Sequence, residues 1–348
     1  MMLNKINSIK NEILLSLVIF MFSVFINRSI TLDTHALGEN LQIYSRIFPD
    51  TEGILQPHRI LLPILGKVLN ADIQILNLIF YFLFIFSLIQ YLNNIKSYTN
   101  IILFVASLST TMVMQFHLNF GGYPDILSYL LLLLAYIYRN EKNLPYFFLF
   151  FALLAKETSA FAFPFFFMLN KVSKLKMISI TLLYLPVYLY FSVGTYDSSF
   201  YFEPVRNDIF YWIRLNYDNI LLGFFSSIKF LWIVIIYFCL RNINKKSIPV
   251  YLLILGIVFQ FIFAGDTTRL VSFMFLGVVY IFEHSNFKFS NLLYSFITLL
   301  NIITPKYYVY AKAGKDNNLL LLNNNRVEVF DVDIYFNYIT YLITQIFT

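Results

Sequence analysis

The residues best suited to chemistry in this 348-residue chain are charged groups at the margins of long apolar runs. Asp33 follows the first run in Ser29-Ile-Thr-Leu-Asp33-Thr-His35, with Glu39 a weaker alternative in the same loop. A carboxylate there, shielded by neighbouring helices, is placed to take a proton from an acceptor hydroxyl. His58 and Arg59 lie between Pro57 and Pro63 at the start of a short apolar segment. A guanidinium there can grip a phosphate through two parallel hydrogen bonds, helped by the free amides of a helix start. The segment from Gln115 to Asp125 joins two apolar runs through Gly121 and Gly122, so that His117 and Asp125 would face an outer cavity from adjacent helices. Lys156 and Glu157 interrupt an apolar stretch, where each uncompensated charge costs at least ~2 to 3 kcal/mol. Asp266 and Arg269 stand three apart at the end of a later run.

Asp33, Asp125 and Glu157 are therefore the candidate catalytic carboxylates. His58, Arg59, His117, Lys156, Asp266 and Arg269 are the candidate substrate ligands. Each has a plainer reading: Asp125 and Asp266 as helix caps, Arg59 as a side chain reaching to lipid headgroups, Lys156 and Glu157 as structural ion pairs. A mixed set of this kind suits a substrate carrying phosphate and hydroxyl groups. An outer pair of carboxylates would hold Mg2+ or Mn2+ through a diphosphate, although no His/Asp spacing demands a metal.

The elements that must position these groups are membrane helices. Hydrophobic residues make up 59% of the chain and charged residues 13%, about half the charge of a soluble domain. Aromatic residues reach 20%, and many of the tyrosines sit beside segment ends, where an apolar ring with a polar tip is stable. The net charge of +6 is dispersed and forms no stripe that could follow nucleic-acid phosphates. Cys239, the single cysteine, excludes a disulfide framework. An apolar helix needs about 20 residues to cross the hydrocarbon layer. By that measure spans are predicted near 12–29, 73–93, 100–118, 125–138, 177–194, 219–240, 248–264, 269–283 and 289–304. The first is read as a retained helix rather than a cleaved signal peptide.

The stretch 144–170 is apolar at both ends and broken at Lys156-Glu157. It reads as two short helices entering and leaving on one side, the alternative being one long helix with a buried ion pair. Loop charge favours the hairpin. With the N-terminus inside, the inner segments hold Lys5, Lys10, Lys96, Arg139, Lys142, Lys171, Lys174, Lys176, Arg241, Lys245, Lys246 and Lys288, against only Glu12, Glu141 and Glu283. The expectation is an all-α polytopic membrane protein with about 10–12 spanning or part-spanning helices. A long outer first loop carries an interfacial helix at 60–69, suited to gathering a substrate from membrane lipids. Residues 1–304 form the membrane domain and 305–348 a short outer tail, strand-like at 326–334 and ending in an interfacial or spanning helix at 335–347.

The order of these features resembles the bacterial GT-C superfamily of integral membrane glycosyltransferases: an acid after the first span, Arg59-Ile-Leu-Leu-Pro63, a Gly-rich turn leading to Asp125, Ala155-Lys-Glu-Thr158, and Gly265-Asp-x-x-Arg269. The likeness covers residues 12–283 and is one of layout. It implies a polyprenyl-phosphate sugar donor and a glycan or lipid acceptor at the outer face of the inner membrane. It also implies Asp33 as base, with Arg59, Lys156 and Arg269 holding phosphate or sugar. The chain departs from the superfamily in having one Asp rather than an acidic pair in the first loop, and no large soluble domain. A surface-polysaccharide polymerase would need the same groups. A transporter would instead show repeated halves, which the sequence lacks, and a membrane scaffold would use the charges only for structure.

Overall fold

The computed structural model describes residues 2–27, 30–34, 37–169, 172–192, 208–215, 220–242, 246–263, 266–285, 290–309, 319–323 and 326–330. His35, Lys171, Lys245, Gly265, Lys288 and the expected helix at 335–347 lie outside them. The chain is mostly helical. In order come α1 (Met2–Asn27), α2 (Leu37–Ile47), α3 (Leu61–Leu69), α4 (Ile73–Asn93), α5 (Tyr98–Ser109), α6 (Met112–Asn119), α7 (Asp125–Ile137) and α8 (Leu144–Ala155). After a 3-10 turn (Glu157–Ala162) follow α9 (Phe163–Phe167), α10 (Lys174–Ser192), α11 (Tyr211–Leu215), α12 (Ile220–Ile228), α13 (Leu231–Arg241), α14 (Ile248–Gln260), α15 (Thr267–Val271), α16 (Phe275–His284) and α17 (Ser290–Ile303). Among the described residues, three helices are long and apolar enough to cross a membrane, or up to five if each of two bent pairs is one span.

Three expectations need correction. The run 100–118 is not one rod: α5 and α6 meet at 55° across Thr110-Thr111. The run 219–240 is split more sharply, α12 and α13 meeting at 94°. At that break Lys229 adopts a left-handed φ of 47° and donates from Nζ to the carbonyls of Asn301 (2.7 Å) and Thr304 (3.0 Å) at the end of α17. A cation there neutralises carbonyls that the helix itself cannot satisfy. The fold is also not all-α, because β1 (Tyr307–Val309), β2 (Leu319–Asn323) and β3 (Arg326–Phe330) form an antiparallel sheet with Leu321 opposite Tyr307 and Glu328. The alternation of residues 326–330 supplied the signal for β3. The run Leu319–Leu322 alternates nothing, and so gave no such signal.

The predicted hairpin at 144–170 is present. Lys156 is extended (φ −159°, ψ 116°) and ends α8, and the chain then returns through the 3-10 turn and α9. Its two ends meet: the Ser173 amide donates to the Tyr146 hydroxyl at 2.5 Å, and Lys176 Nζ donates to the carbonyl of Lys142 at 3.3 Å. The short basic connections also gather at one end of the bundle. Arg139 donates to Glu283 at 2.6 Å, the Tyr91 and Tyr136 hydroxyls donate to the same carboxylate, and Lys96 donates to the Ser285 carbonyl at 2.6 Å. Tyr280 reaches the Lys246 carbonyl at 3.0 Å, and Asn93 reaches Glu12 at 2.9 Å. We call this the basic end; the candidate residues lie at the other.

Lys142→Cys with Lys176→Cys, in a Cys239→Ser background, is expected to cross-link under mild oxidation, and each single cysteine to react with an impermeant maleimide from the same face. Labelling from opposite faces would rule out the hairpin.

Candidate functional site

Two ion clusters form at the site end, and the chain break at Lys156 joins them. In extended backbone, successive side chains point to opposite sides. Lys156 accordingly turns towards α7 and α15, and Glu157 towards the segment before α3. Asp125, the first residue of α7, is fully buried (0% exposed). Its Oδ1 accepts from Lys156 Nζ and, at 3.2 Å, from Arg269 Nε; its Oδ2 accepts from Arg269 Nη2 at 2.7 Å. It is therefore no cap, because its carboxylate is spent on two cations. Arg269 also donates from Nη1 to Asp266 Oδ2 at 2.5 Å, and the Asp266 side chain is 32% exposed. Asp266 stands at the N-cap position of α15 but makes no side-chain cap bond.

Glu157 is the centre of the second cluster. Its Oε2 accepts from Arg59 Nε at 2.7 Å and its Oε1 from Arg59 Nη2 at 2.5 Å, the parallel two-bond geometry of a guanidinium on a carboxylate. His58 Nε2 lies 3.1 Å from Glu157 Oε2, and its Nδ1 lies 2.9 Å from Ser192 Oγ at the end of α10. Its ring packs on Tyr188 at 4.7 Å. The Glu157 side chain is 25% exposed, whereas His58 and Arg59 are buried.

The expectation that Arg59, Lys156 and Arg269 stand open for phosphate is thus corrected. Each is already paired with a carboxylate. His117 and Asp125 likewise line no open cavity, since both are buried. Neither ring nitrogen of His117 makes a hydrogen bond of normal geometry, and the ring rests against Phe116 at 5.4 Å and Tyr129 at 5.7 Å. Among the described residues no three His, Cys, Asp and Glu side chains converge as metal ligands.

Asp33 belongs to neither cluster. It is exposed, and among the described residues its carboxylate has no polar partner. Its backbone, however, is fixed against the turn that leads into α7. A Cβ on Gly121 would collide with the Asp33 carbonyl, and one on Gly122, whose φ is +84°, would collide with Gly38 at the start of α2. The Thr31 amide donates to the Leu118 carbonyl at 2.9 Å.

Several positioning residues escaped the sequence reading. Gln74, buried in α4, donates to the Thr31 carbonyl at 2.8 Å and accepts from the Gly122 amide at 2.8 Å, and Asn77 donates to the Tyr123 carbonyl at 2.8 Å. Two amides one turn apart in an apolar span were the available signal. Tyr123 and Phe116 lie 4.6 and 5.4 Å from the Arg269 guanidinium, close enough for cation–π attraction. Tyr308 of β1 packs on Phe116 and Phe120 at 5.1 Å, and the Val309 amide donates to Thr268 Oγ1 at 2.9 Å. The start of the tail thus joins the site rather than standing apart, and nothing in its sequence announced that.

Removing one partner of a buried ion pair leaves the other charge desolvated, at a cost of about 3–5 kcal/mol. Asp125→Ala is expected to lose that much stability in thermal or denaturant unfolding in detergent, while Asp33→Ala changes it by less than about 0.5 kcal/mol. Equal losses would contradict the placement of the two carboxylates.

Compared with known proteins, the chain matches no family model, and neither a curated protein nor a solved structure matches it significantly. The functional reading therefore rests on the chemistry and geometry of the site.

Proposed function

We propose that the chain is a membrane glycosyltransferase of the GT-C type, moving a sugar from a polyprenyl-phosphate donor to a glycan or lipid acceptor, with Asp33 as the general base. One observation carries this reading: an exposed carboxylate, without a partner among the described residues, is held by backbone contact against the turn that presents a buried Asp125–Arg269–Lys156 cluster. A wet carboxylate on a rigid turn is free to accept a proton; a carboxylate bound by two cations is not.

In the reaction the acceptor oxygen attacks the anomeric carbon. The bond from that carbon to the phosphate oxygen breaks, and the phosphate leaves with the electron pair. The acceptor proton passes to Asp33, and one displacement inverts the anomeric centre. The charge developing on the phosphate needs a prearranged cation. Arg269 serves from the side where the half-exposed Asp266 now sits, while Asp125 keeps the guanidinium oriented. Arg59 and Glu157 offer a second, equally balanced pair to the sugar hydroxyls.

Asp33→Asn is expected to lower sugar transfer from a labelled polyprenyl-phosphate sugar by about 10²–10⁴-fold, with the unfolding temperature unchanged. Asp266→Asn, which loosens the carboxylate's hold on Arg269, is expected to retain measurable turnover. Full turnover of Asp33→Asn would end this assignment of the base.

A further inference from the structure

Away from the ion clusters, the surface between α2, α3 and the start of α4 encloses a cavity of about 420 Å³. Arg46 and Lys67 line it, with Gln42, Ser45, Asn70 and Asp72. Both cations are exposed, and among the described residues Arg46 has no partner. Lys67 makes one bond, to the Phe48 carbonyl at 2.6 Å, and keeps two N–H donors for a ligand. The one anion lining the cavity, Asp72, caps α4: its Oδ1 accepts from the Gln74 and Ile75 amides at 2.7 and 3.4 Å.

The depth of the cavity is set by its own walls. Asp72 is the last polar residue before the apolar span of α4, so the cavity lies at the level where headgroups meet hydrocarbon. On the helical face that Asp72 begins, Ile75, Ile79 and Leu83 recur at spacings of three, four and four, and all are exposed. Val68 and Leu69 of α3, and Ile43 and Ile47 of α2, are exposed beside it. A cationic hollow continuous with an apolar stripe matches one molecule having a phosphate at one end and a chain at the other.

We propose that this cavity binds an anionic glycerophospholipid, its headgroup phosphate between Arg46 and Lys67 and one acyl chain along Ile75, Ile79 and Leu83. The proposal is independent of the transferase reading, because neither cation takes part in that chemistry. The lining carries two cations, Arg46 and Lys67, against one carboxylate, Asp72, and this positive excess favours an anionic headgroup over a zwitterionic one.

The test uses the full-length protein in detergent, titrated with phosphatidylglycerol, phosphatidylcholine or inorganic phosphate, and read by native mass spectrometry and thermal unfolding. Retention of phosphatidylglycerol over phosphatidylcholine is expected. Arg46→Ala with Lys67→Ala should weaken it by at least about tenfold, the scale of losing charge-assisted hydrogen bonds, whereas Arg241→Ala at the basic end should not. Both side chains are exposed, so the unfolding temperature of the lipid-free double variant should equal that of the parent, which separates lost binding from lost folding. Undiminished phosphatidylglycerol binding by the double variant would overturn the proposal. So would stabilisation by inorganic phosphate equal to that by the lipid, which would leave the apolar stripe without a role.

Discussion

The site end depends on a carboxylate with no access to water. Taking Asp125 out of water costs several kcal/mol, and only close cations with good geometry offset that. The cations come from elements far apart in the chain, Lys156 at the break after α8 and Arg269 in α15, so the carboxylate fixes three segments at once. Because Lys156 is extended, its neighbour Glu157 points the other way and secures Arg59 and His58 before α3. A single interruption of one helix thus builds two ion clusters on opposite sides of one strand-like residue. An unbroken helix could not do so, since residues i and i+1 would lie only about 100° apart around its axis.

Charge balance then separates residues that can act from those that only hold. Asp125, Asp266 and Glu157 stand against Lys156, Arg269 and Arg59, so three carboxylates face three Lys and Arg side chains across the two clusters. In the proposed transfer, an incoming phosphate finds a cation only by exchange with a carboxylate that can move into water. Asp266 and Glu157 are partly exposed and can; Asp125 is enclosed and cannot. At the basic end the corresponding problem is solved without such exchange. Glu283 there receives Arg139 and two tyrosine hydroxyls, which join α4, α7 and α16 into a latch.

How much of this could be read in the sequence varied with the physical signal. The long spans announced themselves because an apolar run has one stable environment, and the break at Lys156-Glu157 did so because unpaired charge in such a run is costly. The break at Thr110-Thr111 gave no such warning, since threonine is tolerated in an apolar helix and its hydroxyl can bond locally, as Thr111 does to the Leu108 carbonyl at 2.6 Å. Lys229 carried the same signal as Lys156, and the ends of α17 that it serves lie seventy residues on, where no local pattern points back to it. Helix α2 was hidden by its modest hydropathy within a polar loop. Above all, the sequence placed the charged residues at one end without pairing them. Arg59 was expected to meet phosphate and meets Glu157, because pairing is decided by packing across ninety-eight residues and no spacing rule spans that distance.

The aromatic wall around Arg269 carries the assignment of roles one step further. Phe116 comes from α6 and Tyr123 from the turn between α6 and α7, while Tyr308 arrives from beyond α17, so the wall is complete only when the start of the tail has docked. Tyr308 is a tyrosine beside the cluster and would be a second candidate to take a proton. Burial holds its hydroxyl protonated far above the ordinary tyrosine range, with Asp266 acting in the same direction and Arg269 against it. It is therefore a neutral wall and hydrogen-bonding group rather than a base. With Asp125 bound by two cations, Glu157 by Arg59 and His58, and Tyr308 held neutral, the proposed transfer leaves proton acceptance to Asp33, the carboxylate that is exposed and, among the described residues, unpaired.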